Sequence, residues 1–340
     1  MSVLEEGKIL VTGGCGFIGS AIIWGLNQMG IDNILVTDQL NKSDKFKNLT
    51  PLYFDDYMEA DLLLRTLDRA PNLLEDIKVI FHLGACSSTT ETNSRFLITN
   101  NYGYSKRMAQ WARIQGIRFV YASSAATYGD GSKGMDDEDE DLSQLRPLNM
   151  YAYSKHLFDR YLQRRGWISN AVGIKYFNVF GPNEGHKDLM RSMVHKAFHQ
   201  IKERGCVRLF KSYHADYPDG EQKRDFLYIK DAVAMTLHLA KSPKACGLFN
   251  VGSGRASSWL DLIRPVFEAM QRPMSIDFID MPASLRDKYQ YYTCAKIDKL
   301  RSTGYQAPIS KLSDSVSDYV KNYLVPNLYL GDGLGEKLHS

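Results

Sequence analysis

At 340 residues, with 44% hydrophobic and 24% charged side chains, the chain can bury one large core or two packed lobes, which excludes a disordered or collagen-like polymer. Its 42 basic and 39 acidic residues leave a formal net charge of +3, far from the concentrated positive field of a nucleic-acid binder. The expected partners are therefore small molecules and copies of the same chain.

In chain order, the start MSVLEEGK is acidic ahead of a short strand, so neither a signal peptide nor an anchor is expected. No later apolar run approaches the roughly 20 residues that span a bilayer. From Lys8 to Ala122 short β-branched runs alternate with stretches of helical apolar spacing. Lys8–Thr12, Asn33–Asp38, Lys78–Leu83 and Arg118–Ala122 read as strands. These runs are almost continuously apolar, as in a parallel sheet covered by crossover helices on both faces. The predicted class is α/β, a doubly wound parallel sheet over residues 1–176, with Gly173–Tyr176 as a return to the sheet.

Past Tyr176 the texture changes. A long polar connection at Tyr213–Lys223, isolated strands such as Phe249–Val251, and helices near Trp259–Met270 and Ile309–Tyr323 predict a smaller C-terminal α/β substrate lobe over residues 177–325, interleaved with the sheet. Residues 326–340 read as a loosely held tail. The acidic run Met135–Asp141 lacks the spaced ligands of a cation loop and is expected to be solvated. Neither His186 nor His195 stands at metal-ligand spacing, so no metal is expected. The five cysteines, Cys15, Cys86, Cys206, Cys246 and Cys294, are scattered without a Cys-x-x-Cys pair, which argues against a disulfide framework and fits a reducing cytoplasm.

The first strand runs into Thr12-Gly13-Gly14-Cys15-Gly16-Phe17-Ile18-Gly19 as a helix opens. Gly13 permits the tight turn, Gly16 lets backbone approach a pyrophosphate, and Gly19 lets the helix pack closely on the strand. The free N–H groups and dipole at the helix start favour phosphate oxygens. Asp38 follows at the end of the second strand, where an acid bonds a ribose hydroxyl. This is a Rossmann-like dinucleotide site. Asp38 alone favours NAD, whereas Lys42, Lys45 and Lys47 just after it could neutralise a 2′-phosphate; these residues leave NAD and NADP both open.

Further on, the strand Tyr121-Ala-Ser-Ser-Ala-Ala-Thr-Tyr-Gly129 precedes Tyr151-Ala-Tyr-Ser-Lys155. A tyrosine and a lysine four apart share a helix face, so Lys155 can sit near the Tyr151 phenol. A nearby cation lowers a phenol pKa from about 10 toward neutrality, which makes a base able to take an alcohol proton. Ser124 is the candidate to hold the substrate hydroxyl.

These motifs, together with KFKNL, FHLGACSSTTE, NNYGYSK, PLNMYAYSK, YFNVFGPNEGHK, DGEQKRDFLYIKD, FNVGSGRA and DKYQYYT, carry a resemblance to the heptose 6-epimerases of the extended short-chain dehydrogenase/reductase superfamily. The glycines and Tyr-x-x-x-Lys are shared across the superfamily, while GACSSTTE and NEGHK are particular to the heptose epimerases. The resemblance implies epimerisation at C6 of an ADP-heptose substrate, for lipopolysaccharide core supply, through a 6-keto intermediate. It also implies a homo-oligomer and admits a pentamer. It places Phe17, Ile18, Asp38, Gln39, Lys45, the turn Leu83, Gly84, Ala85, Cys86 and Ser87, and Asn100, Lys155 and Val179 at cofactor-contacting positions. It favours NADP, with Lys45 as the phosphate partner and NAD as the other possibility. Gln39 stands where asparagine is frequent, and Ala60 where some members have a cofactor lysine.

Ser124, Tyr151 and Lys187 match the catalytic positions, and Asn178, His195, Phe210, Arg224 and Tyr289 the substrate-binding region. A second acid/base is useful because the hydride must return to the opposite face of C6, which gives Lys187 a role beside Tyr151. Arg224 suits a pyrophosphate clamp, its competing use being an ion pair with Asp225. Two other readings compete: a related sugar-nucleotide epimerase or dehydratase, and a non-catalytic nucleotide sensor. A 4,6-dehydratase would need an Asp-Glu pair beside the serine, where this chain has Ala125-Ala126, and a sensor would be expected to lack Tyr151 or Lys155.

Overall fold

The computed structural model describes residues 2–41, 43–138, 141–286 and 289–333. Lys42, Asp139, Glu140, Asp287, Lys288 and the chain beyond 333 lie outside them.

Seven parallel strands form the main sheet in the order β10-β6-β5-β4-β1-β2-β3. The chain starts at its centre with β1 (Lys8–Thr12), passes through helix α1 (Phe17–Asn27) to β2 (Ile34–Asp38), and ends this half at β3 (Asp56–Glu59). Helix α2 (Ala60–Arg69) then carries it to the other side of β1, where β4 (Ile77–His82) begins the second half. Short α3 (Ser94–Leu97), α4 (Tyr104–Gln115), β5 (Arg118–Ala122), α5 (Met150–Arg164) and β6 (Ala171–Tyr176) complete it. The order therefore reverses between β1 and β4, which opens a crevice at their carboxyl ends.

The continuous apolar runs behave as their composition predicts. Ile9 and Val11 pack into one core and Leu10 and Ile80 into the other, with no exposure on either face. Strand β3 carries no such signal. Its Asp56-Tyr-Met-Glu59 is half exposed at the sheet edge, and parallel pairing with β2 decides its conformation.

The rest of the chain supplies β7 (Asn178–Phe180), α6 (Met193–Arg204), β8 (Val207–Phe210), β9 (Lys223–Tyr228), α7 (Ile229–Lys241) and β10 (Gly247–Val251). After these come β11 (Ala256–Ser258), α8 (Trp259–Ala269), β12 (Ile276–Ile279), α9 (Ala283–Arg286), α10 (Asp298–Ser302) and α11 (Leu312–Tyr319). Three of the strands make a small sheet, β11-β9-β7, and β12 pairs with β8.

Three expectations need correction. Phe249–Val251 is not an isolated strand: it belongs to β10 and pairs in parallel with β6 at the edge of the main sheet. The acidic run is not simply solvated, since Asp137 is buried and its Oδ2 accepts the Asn250 N–H at 2.6 Å. Asp136 meanwhile pairs with Lys296 at 2.8 Å. The stretch after Val325 is held down as far as Leu330, which is fully buried and donates its N–H to Asn183 Oδ1 at 2.9 Å.

Candidate active site

The turns after β1 and β4 face each other across the crevice, and Gly13 is what lets them meet. Its φ of +69° is strained for any L side chain, and a Cβ there would lie 2.6 Å from the Gly84 nitrogen. A Cβ on Gly19 would overlap the Gly13 carbonyl oxygen. Gly16 caps α1 without a side-chain bond, so the first N–H groups of the helix point at the crevice, as phosphate binding needs. Thr12 Oγ1 accepts the Gly84 N–H at 3.1 Å and ties the two turns together.

Asp38 ends β2 almost buried. Its Oδ2 accepts the Cys15 N–H at 2.9 Å, and its Oδ1 accepts from the Gln39 N–H at 2.7 Å and Lys45 Nζ at 2.6 Å. Lys45 thus neutralises the carboxylate at the position where a ribose would lie. Gln39 is exposed and turns only its backbone to Asp38.

The turn Leu83–Ser87 is set by a residue that the sequence reading passed over. Asn101 is buried, and its side chain both accepts the Cys86 N–H and donates to the Cys86 carbonyl, each at 2.9 Å. It also donates to Ser154 Oγ on α5 at 3.0 Å. Asn100 sits behind it, donating to Asn101 Oδ1 at 3.2 Å. The only signal in the sequence was the Asn-Asn pair itself, which does not say which side chain points inward.

The strand-end serines and α5 bring the reactive groups together. Ser124 is hydrogen-bonded to the phenol of Tyr151, which favours its ionised form, but burial dominates and pushes the phenol up from its ordinary value. Lys155 donates to the Ala122 carbonyl at 2.8 Å, and burial brings its ammonium down to about 8. The expected lowering of the phenol toward neutrality by Lys155 is opposed by burial, which outweighs the effect of Ser124. Behind them, Asp159 accepts from Tyr121 at 2.9 Å, Ser123 at 2.6 Å and Lys175 at 3.2 Å, all buried, which fixes the strand end beside Ser124.

A cavity of about 960 Å³ runs from the glycine turn past Tyr151 and Lys155 to the small sheets. Gly13, Gly16, Phe17, Ile18, Gly19, Asp38, Lys45, Leu83, Gly84, Ala85, Ser87, Ser124, Asn178, Val179, Lys187, Phe210 and Tyr289 all line it, as the sequence led one to expect. Gln39, Cys86, Asn100, His195 and Arg224 are not on its wall. Lys187 sits with its Nζ 5.1 Å from the centre of the Phe17 ring, pushed down from the ordinary lysine value by burial. His195 is nearly buried against His199, ring centres 4.6 Å apart, and burial holds it down to about 4.

Arg224 lies one layer behind the wall, 5.0 Å over the Tyr289 ring and 5.9 Å from Trp259, with Nη1 on the Lys223 carbonyl at 2.8 Å. It does not pair with Asp225, whose oxygens take Ser253, Gly254 and Ala295 instead. Arg191, Lys196, Arg204 and Arg208 join Lys45, Lys155 and Lys187 on the cavity wall, against one acid among the described residues, Asp38. Such a field suits a ligand carrying several phosphate charges. These four residues come from α6 and its flanks, and nothing in their spacing announced that they converge.

A glycine-cradled crevice at the switch point, with serine, tyrosine and lysine at the adjoining strand and helix, defines a nicotinamide-dinucleotide-dependent enzyme of the short-chain dehydrogenase/reductase type. The chain belongs to the NAD dependent epimerase/dehydratase family, whose model matches residues 9–252. It is 48% identical over 315 residues to the ADP-L-glycero-D-manno-heptose-6-epimerase of Nitratidesulfovibrio vulgaris (strain DP4), covering 93% of this chain and 97% of the relative. With the enzyme of the same name from Fusobacterium nucleatum subsp. nucleatum it shares 43% over 325 residues, 93% and 98% of the two chains. The crystal structure of the Helicobacter pylori ADP-L-glycero-D-manno-heptose-6-epimerase is similar at a TM-score of 0.77 and 28% identity, covering 94% of this chain and 97% of that one. Among the described residues no helix is long and apolar enough to cross a membrane.

Proposed function

We propose that this chain is an isomerase that epimerises ADP-D-glycero-D-manno-heptose at C6 to ADP-L-glycero-D-manno-heptose, in the cytoplasm, for lipopolysaccharide heptose supply. The observation that carries it is the entry of Tyr151 and Lys187 into one cavity from separate elements, helix α5 and the loop before α6. The relatives at 43–48% identity carry the name of that activity. A nicotinamide held at the glycine turn, Asp38 and Lys155 would supply the hydride acceptor of the first half of the cycle and the donor of the second. Tyr151 takes the proton from the C6 hydroxyl of one epimer, held by Ser124, and Lys187 serves the other epimer after rotation about the C5–C6 bond. Residues 1–176 hold the cofactor and 177–325 the sugar nucleotide. The cations Arg191, Lys196, Arg204 and Arg208 on the cavity wall take the pyrophosphate, Arg224 backs Tyr289 from behind that wall, and Asn178 and Phe210 shape the sugar and base sites. A homo-oligomer is the working form.

A redox-neutral cycle has no need to exchange its cofactor. Purified protein incubated with ADP-D-glycero-D-manno-heptose alone should give the L-epimer by NMR, and mass spectrometry of denatured protein should release dinucleotide. A requirement for a stoichiometric external hydride donor would overturn this function.

The dinucleotide is NADP in this reading. Lys45 cancels the charge of Asp38, which would otherwise repel a 2′-phosphate, and its ammonium is at hand to bind one. Lys45→Ala should weaken NADP at least tenfold more than NAD in a titration of the apoprotein. Equal losses would make Lys45 a partner of Asp38 and nothing more.

A further inference from the structure

The loop that carries Lys187 is fastened at both ends by one carboxylate. Glu184 is fully buried. Its Oε1 accepts from the Gly181 N–H at 3.4 Å and the Ser192 hydroxyl at 2.6 Å, and its Oε2 accepts the Ser192 N–H at 2.5 Å. The buried phenol of Tyr319, on α11, faces this carboxylate, whose charge adds to burial in pushing the phenol up. Ser192 in turn caps α6 by accepting the His195 N–H at 3.3 Å, so the exit of the loop is rigid.

Inside the clasp, the Lys187 N–H donates to the Glu184 carbonyl at 3.0 Å. Asp188 follows with φ 46° and ψ −118°, a conformation costly for any residue but glycine. Strain of this kind persists only where the surroundings over-determine the backbone. Here the surroundings are the Glu184 clasp at the loop ends together with Arg191, whose N–H and guanidinium bond Asp188 and the Gly185 carbonyl.

The charge of Glu184 matters as well. Burial pushes the Lys187 ammonium down, Glu184 pushes it back up, and Lys196 on α6 adds to the fall. The other ionisable groups around the clasp are His186, Arg191 and the exposed Asp188 on the loop, His195 on α6, Tyr319 on α11, and Tyr228 at the end of β9. Glu184 is the acid whose field reaches Lys187.

We propose that Glu184 is the positioning residue for Lys187: its bonds hold the loop that aims the ammonium into the cavity, and the field of its carboxylate reaches that ammonium. This rests on the reading of Lys187 as the second acid/base. The test uses the holoenzyme and the variants Glu184→Gln, Tyr319→Phe, Lys187→Met and the double Glu184→Gln/Lys187→Met, with kcat and KM measured from each epimer across pH.

Glu184→Gln should lower kcat at least tenfold with little change in KM. It should also move the limb of the pH profile that Lys187→Met abolishes to lower pH by about one unit, since an ammonium without its anion deprotonates sooner. Tyr319→Phe, far from substrate, should move the same limb the same way by less, because the carboxylate loses a polar neighbour that favours its charged form; it carries the test should Glu184→Gln not fold. The double variant should be no slower than Lys187→Met alone. A double variant that multiplies both losses, or a limb unmoved in Glu184→Gln and Tyr319→Phe alike, would reduce Glu184 to a structural tie. If instead Lys187→Met turns over at the wild-type rate, the acid/base reading of Lys187 fails, and the role of Glu184 fails with it.

Discussion

Tyr151→Phe is expected to cut kcat by the 10²–10⁴-fold typical of a lost general acid/base, with the fold and cofactor content intact. The change removes one oxygen, hydrogen-bonded to Ser124 and set in the wall of the cavity. The sign of the pH dependence follows from the same burial. A base must be deprotonated, and the phenol is pushed above its ordinary value, so the base form is scarce at neutral pH and wild-type turnover should climb as pH rises. Lys155 limits that climb, since burial brings its ammonium down to about 8 and the phenol loses that nearby charge above it. Tyr151→Phe should lose the rising limb. NMR of epimer interconversion together with the dinucleotide content of the same sample checks this; a variant that retains both the rate and the rising limb would remove Tyr151 from the mechanism.

Lys187→Met should cost a comparable 10²–10⁴-fold, but with a different signature. Methionine keeps most of the apolar stem and deletes the ammonium that lies 5.1 Å from the centre of the Phe17 ring, so stability should change little. If Tyr151 and Lys187 each serve one epimer, removing either blocks the full cycle while sparing one half-reaction. Each epimer should therefore be supplied separately to each variant. Tyr151→Phe should oxidise the epimer that Lys187 serves, and Lys187→Met the other. Two variants that fail on the same epimer would show that both residues act on one face of C6.

Much of this was legible in the chain before any coordinates. Gly13, Gly16 and Gly19 stand three positions apart, so one turn and the first turn of one helix decide their surroundings; the close packing read for Gly19 is what its approach to the Gly13 carbonyl shows, whereas the meeting of Gly13 with Gly84 was not legible. Tyr151 and Lys155 share a helix face for the same local reason. The central strands were found because burial on both faces demands unbroken apolar runs. Strand β3, at an edge, had no such demand to write into its sequence.

The tertiary structure decided what lies far apart in the chain. That β10 closes the main sheet beyond β6, that Asp137 is pulled under to hold the Asn250 N–H, and that Leu330 returns to Asn183 are pairings across 75, 113 and 147 positions. Lys45 reads as a candidate phosphate partner among three loop lysines, and only the fold shows it paired with Asp38 at 2.6 Å. Arg191, Lys196, Arg204 and Arg208 read as ordinary charges on a helix and its ends until the cavity wall collects them with Lys155. The sequence by itself determined the cofactor turn and the tyrosine–lysine face, because their geometry is fixed by bonds a few residues long. The lowering of the Tyr151 phenol that this face suggested did not follow, because ionisation answers to the dielectric of the whole fold: three-dimensional burial, and not the four-residue spacing, sets the balance between proton and charge.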